Sequence, residues 1–378
     1  AHLVATWQLQ VGRPAEAVAA IDRSLGNPPR QPPPESLAQL ALDRADALWA
    51  LPDRRAEAVA TYEALAADHP DLPVAAAAVS MLALAGLEAR QPDEALRQVK
   101  RFRDRYAETA TVAAIRDIAA IQAEALLETG KPAAAARQLT ELLSRHRDWP
   151  RREEAWLLLA RAERDAGELA AAVEALKACL KEFPEGPQAA LAWYRLGQLR
   201  QQQQDNAAAI DAFAASVKIE PDGPLAPWAR LASGWCHEAN GDLSAAEQAW
   251  SDLIARGAGG VAAASAVLAR GDARHRLGDH AGGLADAEQV LSPGSAIAAQ
   301  LDATARREAR LLAGLCLLGL KRYTEAATRL RALLSDSPDL PAADQVLFQL
   351  GIAESLGGES AAAAETFRRL VEKFPQSP

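Results

Sequence analysis

The chain has 378 residues, with 41 lysines and arginines against 50 acidic residues and a formal net charge of −9. This balance argues against a nucleic-acid partner, because phosphate binding requires a basic face. A hydrophobic content of 49% with 24% charged residues is normal for a folded protein. Abundant alanine and only 5% aromatic residues favour helix over sheet.

Membrane spans and cysteine-based sites are also excluded by the sequence. No apolar run approaches the ~20 residues that a spanning helix needs, and the most apolar stretch, 311–320, fits a buried helix. Cys179, Cys236 and Cys316 are widely separated and lack CxxC spacing. They form neither a disulfide framework nor a zinc site, so we expect three small buried side chains.

In chain order, the apolar spacing predicts pairs of amphipathic helices joined by tight polar turns. The first pair turns at 12–14 and is followed by a proline-rich stretch at 27–35. Proline excludes helix there, which predicts an extended connector; the alternative is a ligand for a proline-recognition domain. The predicted hairpins are 1–26, 36–70, 74–107, 112–147, 151–184, 188–221, 225–257, 261–292, 302–338 and 342–375.

The third hairpin carries a basic stretch on its second helix. Its members fall mostly on one face: Arg97, Lys100, Arg101, Arg103 and Arg105. A run of charges on an outer helix is usually a solvated face, and we predict that here.

The hairpin over 188–221 shows the pattern most clearly. Its apolar and small positions recur at helical spacing, and a proline ends the second helix: Trp193, Leu196, Gly197, Ala209, Phe213, Val217 and Pro221. Gly197 and Ala209 are small where two helices would cross closely. Trp193 and Phe213 are large enough to fill the remaining gap.

A small residue opens the second helix of every predicted hairpin. The ten positions are Ala17, Ala58, Ala95, Ala135, Ala172, Ala209, Ala246, Gly283, Ala326 and Ala363, and six of the nine steps between them are 37 residues. In order and spacing these hairpins resemble the tetratricopeptide repeat over essentially the entire chain.

The resemblance implies an all-α fold, a right-handed α-solenoid superhelix of about ten such hairpins forming one domain over 1–378. One hairpin cannot bury its own apolar face, so neighbours must supply the rest of the core. The 37-residue step and the P-x-x-P connectors are similar to repeats of the Tol–Pal coordinator and of outer-membrane assembly lipoproteins. That similarity implies a bacterial protein of the periplasm or cell envelope, with a cytoplasmic location as the alternative.

No group of residues forms a catalytic or cofactor-binding pattern. The six histidines are scattered; His275 and His280 are five apart, off a common helical face, with a turn expected between them. The glycine-rich stretch at 257–260 lacks a preceding strand and a following Lys-Ser/Thr, so it is not a phosphate loop. We expect no enzyme activity, no cofactor and no metal.

The family resemblance implies a groove along the first helices of the hairpins, which would hold an extended segment or a helix of a partner protein. Carried onto this chain, the groove-facing candidates are Leu157, Arg161, Arg164, Tyr194, Gln198, Gln201, Trp235, Asp272, His275 and Phe348. The same rows also contain Leu231, Leu268, Leu311 and Leu315, and leucines of the first row can instead pack against the adjacent repeat. The Lys and Asn of chaperone-tail-binding members are missing, so an acidic C-terminal tail is not expected.

The seventh hairpin can be read in two registers. If the repeat positions are counted back from Gly241, Gly234 is the small residue of the first helix and Trp235 is exposed to the groove. The alternative places Trp228 and Trp235 together in the core. Because large aromatic residues at helical spacing are more often core, we predict that both are buried.

The function expected from the sequence is a non-enzymatic scaffold for protein–protein interaction. Two alternatives remain: a subunit of an envelope or filament assembly, and the recruiting arm of an enzyme whose catalytic domain is not in this sequence. The chain opens inside a helix and stops just after Pro375, which suggests a fragment or a processed product.

Overall fold

A computed structural model describes residues 2–26, 33–257, 259–337, 340–341 and 343–377. In these ranges the chain forms twenty α-helices, two short 3₁₀ turns and no strand. The helices are His2–Gln10 (α1), Pro14–Gly26 (α2), Pro34–Trp49 (α3), Arg55–Asp68 (α4), Pro73–Glu88 (α5), Pro92–Tyr106 (α6), Val112–Glu128 (α7), Pro132–Arg145 (α8), Arg152–Asp165 (α9), Leu169–Glu182 (α10), Ala189–Gln202 (α11), Asn206–Ile219 (α12), Ala226–Ala239 (α13), Leu243–Ala255 (α14), Gly260–Arg276 (α15), His280–Leu291 (α16), Ala303–Gly319 (α17), Tyr323–Asp336 (α18), Ala343–Leu356 (α19) and Ser360–Lys373 (α20).

The chain divides into two compact units, Ala1–Phe183 and Pro184–Pro378. Within each unit every helix packs against the next helix along the chain. First helices of neighbouring hairpins also touch, for example α5 with α7 in the first unit and α13 with α15 in the second. Contacts between sequence neighbours define a solenoid, so the predicted all-α solenoid is confirmed. Most of the proline-rich connector, residues 27–32, lies outside the described residues, and its predicted last residues, Pro34 and Glu35, instead form the first turn of α3, where proline needs no N–H partner.

The ten small residues that open the second helices are all buried. The nine alanines among them are at most 4% exposed, and Gly283 is buried as well. Burying a small side chain at each hairpin allows the two helices to approach closely, as the spacing predicts.

The turns between paired helices are short, and in the seventh hairpin a glycine and a capping aspartate form the turn. Gly241 has φ of +81°, the left-handed conformation that glycine adopts without strain. The next residue, Asp242, accepts a hydrogen bond from the Ala245 N–H at 3.0 Å and caps α14.

Glycines of the first helices lie against large side chains of the second helices. A Cβ on Gly197 would lie 2.6 Å from the ring of Phe213, and one on Gly351 would lie 2.6 Å from Phe367. Phe213 therefore fills the gap beside the small Gly197, as predicted, whereas Trp193 is only half-buried. In α13 the equivalent pair is Gly234 and Trp250.

The prediction that Trp228 and Trp235 are both buried is wrong. They are 41% and 42% exposed. Trp250 of α14 is fully buried and donates from its indole Nε1 to the Leu231 carbonyl at 3.2 Å. This indole fills the space beside Gly234, so the register counted back from Gly241 is the one adopted and both tryptophans turn outward.

Candidate functional site

A groove in the second unit is formed by the first helices of three successive hairpins. It has a volume of about 460 Å³ and is lined by α13, α15 and α17. We call it the Trp235 groove, and its principal residues are Trp235, Leu268, Asp272, Glu308, Leu311 and Leu315.

The glycine contacts explain why these side chains converge. Gly234, Gly271 and Gly314 each face the second helix of their own hairpin. A Cβ on Gly271 would lie 3.0 Å from Asp286, and one on Gly314 would lie 2.5 Å from Leu330. Successive residues of a helix point in different directions, so the residue after each glycine turns away from that contact. Trp235, Asp272 and Leu315 occupy these three following positions and line the same groove.

Two carboxylates lie among the apolar residues of the groove. Asp272 pairs with Arg276 at 3.3 Å, and Arg276 also pairs with Glu238. Glu308 is exposed and forms no ion pair with any described residue. The groove is thus apolar along Leu268, Leu311 and Leu315, with a negative charge available at Glu308.

The candidates in the first unit lie in different surroundings. Leu157 is 6% exposed and belongs to the core. Arg161 and Arg164 both face Asp165, at 3.6 Å and 2.7 Å. Their positive charges are therefore partly neutralised within the same helix.

Among the remaining candidates of the second unit, Tyr194 and Phe348 pack against aromatic rings of their second helices. The ring of Tyr194 packs on Phe213 at 5.7 Å between centroids, and burial raises the pKa of its hydroxyl. Gln198 donates to the Tyr194 hydroxyl at 3.4 Å. Gln201 is half-buried, whereas Phe348 is 48% exposed with its ring 6.2 Å from that of Phe367.

His275 and His280 meet, which the sequence reading missed. The predicted turn separates α15 from α16, but it folds back so that the two Nδ1 atoms lie 3.1 Å apart. The Cys316 Sγ lies 3.6 Å from His275 Nδ1. Burial, with a smaller contribution from His280, lowers the pKa of His275. The Gly278-Asp279 pair in the sequence indicates a turn between the two histidines, but it does not specify the distance between their rings.

The thiol beside this histidine pair is buried. All three cysteines are buried, and burial raises the pKa of Cys316 to about 12, so its thiol stays protonated. Among the described residues, no cluster of histidine, cysteine and carboxylate side chains is arranged to hold a metal ion. No described helix is both long and apolar enough to cross a membrane.

Stacked helical hairpins with a groove along their first helices define a repeat scaffold. The sequence model of the tetratricopeptide repeat matches residues 122–187, 162–224 and 311–378. The chain therefore contains tetratricopeptide repeats over residues 122–224 and 311–378, a repeat type that is typical of scaffolds for protein binding.

Several solved structures are similar to this chain at low identity. A tetratricopeptide repeat protein from Parabacteroides merdae is 18% identical, with 73% of this chain and 98% of that chain covered and a TM-score of 0.46. PilW, a type IV pilus biogenesis factor, is 18% identical over 60% of this chain and 94% of its own, with a TM-score of 0.44. MamA is 18% identical over 47% and 90%, with a TM-score of 0.40. A search of curated proteins found no match.

Proposed function

We propose that the protein is a non-enzymatic scaffold and that its Trp235 groove binds an apolar segment of a partner protein that also carries basic residues. The observation that supports this most directly is the position of Trp235. It is a large side chain, 42% exposed, at an apolar groove formed by three hairpins. Tryptophans in such positions often supply much of the binding energy of protein interfaces.

The chemistry of the groove favours a peptide segment. Leu268, Leu311 and Leu315 offer an apolar surface along consecutive first helices, which suits the side chains of a helix or an extended strand. Glu308 adds a negative charge that no ion pair with a described residue neutralises, so a lysine or arginine of the partner would be attracted and a carboxylate repelled.

The site of action is part of the same proposal. The 37-residue step and the P-x-x-P connectors resemble repeats of envelope proteins, which supports a location in a bacterial periplasm or cell envelope. Fractionation of cells producing the full-length protein tests this location. Recovery only with cytoplasmic markers would contradict it and favour the cytoplasmic alternative.

Selection from a random peptide library tests the groove. The full chain should enrich sequences that combine Leu, Phe or Trp with Lys or Arg. Glu308→Lys should remove this class because it reverses the charge at the groove. Asp211→Lys is the control, since it makes the same charge change on an exposed position of α12 outside the groove.

The library result can contradict the proposal in two ways. Selected sequences without a basic preference would refute the charge argument. If Glu308→Lys and Asp211→Lys both remove the basic peptides equally, the assignment to this groove is refuted, because only Glu308 lines the groove.

A further inference from the structure

The first unit holds a second pocket, formed by α6 and α8, the second helices of two successive hairpins, together with α7, the first helix between them. It has a volume of about 590 Å³ and is lined by α6, α7 and α8. Its large apolar lining residues are Phe102, Ile115, Ile118 and Leu142. We call it the Arg103 pocket. Its size lies within the range of roughly 300–1,000 Å³ that is typical of ligand pockets.

Positive charge surrounds this apolar surface. Arg103 of α6 and Arg137 and Arg145 of α8 line the pocket, together with one acidic residue, Glu141. Glu141 is paired with Arg145 at 2.9 Å. Neither Arg103 nor Arg137 forms an ion pair with a described residue.

Arg103 differs in this respect from Arg97 and Arg105 on the same helix. Arg97 pairs with Glu94, and Arg105 pairs with Asp71 at 3.1 Å. The basic stretch predicted as a solvated face is therefore largely neutralised by neighbouring carboxylates. Arg101 and Arg103 form no ion pair with a described residue: Arg101 donates to the Ala66 carbonyl at 3.1 Å, whereas Arg103 lines the pocket.

A hydrogen-bond chain across three helices holds Arg103 in place. Its Nη1 donates to the Gln122 Oε1 at 3.2 Å. Gln138 Nε2 donates to the same oxygen at 2.9 Å and to the Ala119 carbonyl at 2.8 Å. A guanidinium has five N–H donors, so donors remain for a bound carboxylate. Fixing the group in advance lowers the entropy cost of binding.

We propose that the Arg103 pocket binds an acidic amphipathic segment of a partner protein. Apolar side chains of the segment would cover Ile115 and Leu142, and its carboxylates would pair with Arg103 and Arg137. The arginines stand on two different helices, α6 and α8. An amphipathic segment has carboxylates along its length and can reach both of them.

Exposed apolar side chains extend the same surface. Ile115 is 36% exposed and Val112, one turn earlier on α7, is 57% exposed. A segment lying on this face would remove both from water, which favours association. This site is independent of the Trp235 groove, and it selects the opposite charge in its ligand.

The test uses the full chain and the same kind of random peptide library. The selection should yield an additional class in which Leu or Phe is flanked by Asp or Glu. For one peptide of this class, Arg103→Ala and Arg137→Ala should each raise the Kd about tenfold, the usual effect of losing a charge-assisted hydrogen bond. Arg97→Ala is the matched control, because Arg97 is on α6 outside the pocket and should change the Kd less than twofold.

A second variant predicts a gain. Glu141→Gln removes the negative charge beside Arg145 and should tighten the acidic peptide severalfold. An acidic class absent from the selection, or equal effects of Arg103→Ala and Arg97→Ala, would overturn the proposal. Vesicles containing phosphatidylserine that bind through Arg103 and Arg137, without any acidic peptide class, would also overturn it. If the selection yields basic peptides but no acidic ones, the Arg103 pocket is refuted and the Trp235 groove remains supported. If it yields acidic peptides but no basic ones, only the Trp235 groove is refuted.

Discussion

The substitution Gly234→Ala tests the register that turns Trp235 outward. On an isolated helix this change is favourable, because alanine is a better helix former than glycine by about 1 kcal/mol. In this structure the new Cβ would lie 2.5 Å from Trp250 Cε2, against the 3.4–4 Å of ordinary contact. The indole would have to move by about 1 Å, a figure that follows from these distances and from close packing in protein interiors.

The expected magnitude follows from what the indole would lose. Trp250 is fully buried and its Nε1 donates to the Leu231 carbonyl at 3.2 Å. Overpacking of a core costs about 1–3 kcal/mol, and a weakened hydrogen bond costs about 1 kcal/mol. After the gain in helix propensity, Gly234→Ala should lower the unfolding free energy by about 2 kcal/mol.

Urea denaturation followed by circular dichroism measures this change, with Gly26→Ala as the control. Gly26 ends α2, and nothing lies within 4 Å of a Cβ built there, so its substitution should be neutral or slightly stabilising. In a Trp250→Ala background the cavity would accept the new Cβ, and Gly234→Ala should no longer destabilise. Equal destabilisation in both backgrounds would refute the argument.

Two further predictions concern charged groups of the second unit. Asp286 is 3% exposed and accepts from Arg270 at 2.6 Å and Arg274 at 3.1 Å. Asp286→Ala should therefore cost about 3 kcal/mol in urea denaturation, whereas Asp336→Ala, at an exposed pair, should cost less than about 1 kcal/mol; equal costs would contradict this. Because the folded chain lowers the pKa of His275 below its ordinary 6.5, the unfolded chain takes up the proton first as pH falls. Unfolding free energy should decrease as pH falls below about 6.5, and less so in His275→Gln; identical pH profiles would contradict the assignment.

Composition and spacing are sufficient to predict the helical repeats. The small residues of the second helices specify where helices cross, and Gly197 against Phe213 follows directly from their sizes. The position of Asp272 in the groove follows from the family pattern, whereas Trp235 lies there only in the register that the sequence analysis did not favour; the binding role of both stays a prediction. These features depend on local periodicity, which the sequence records.

Features that depend on three-dimensional packing were beyond the sequence. Both registers of α13 satisfy apolar periodicity, and the volume of Trp250 decides between them. The contact between His275 and His280 depends on the path of a turn. The Arg103 pocket depends on which arginines find carboxylates, and those partners come from other helices as well as from the same one.

The most direct test of the scaffold account is a calorimetric titration of one selected apolar–basic peptide into Trp235→Ala and Trp228→Ala. The two tryptophans lie on the same helix with nearly equal exposure, 42% and 41%, but only Trp235 lines the groove. Trp235→Ala should weaken binding by about 2 kcal/mol or more, the loss typical of an interface hot spot. Trp228→Ala should leave the affinity within about twofold of the unaltered chain. Equal effects of the two substitutions, or no effect of either, would contradict the account.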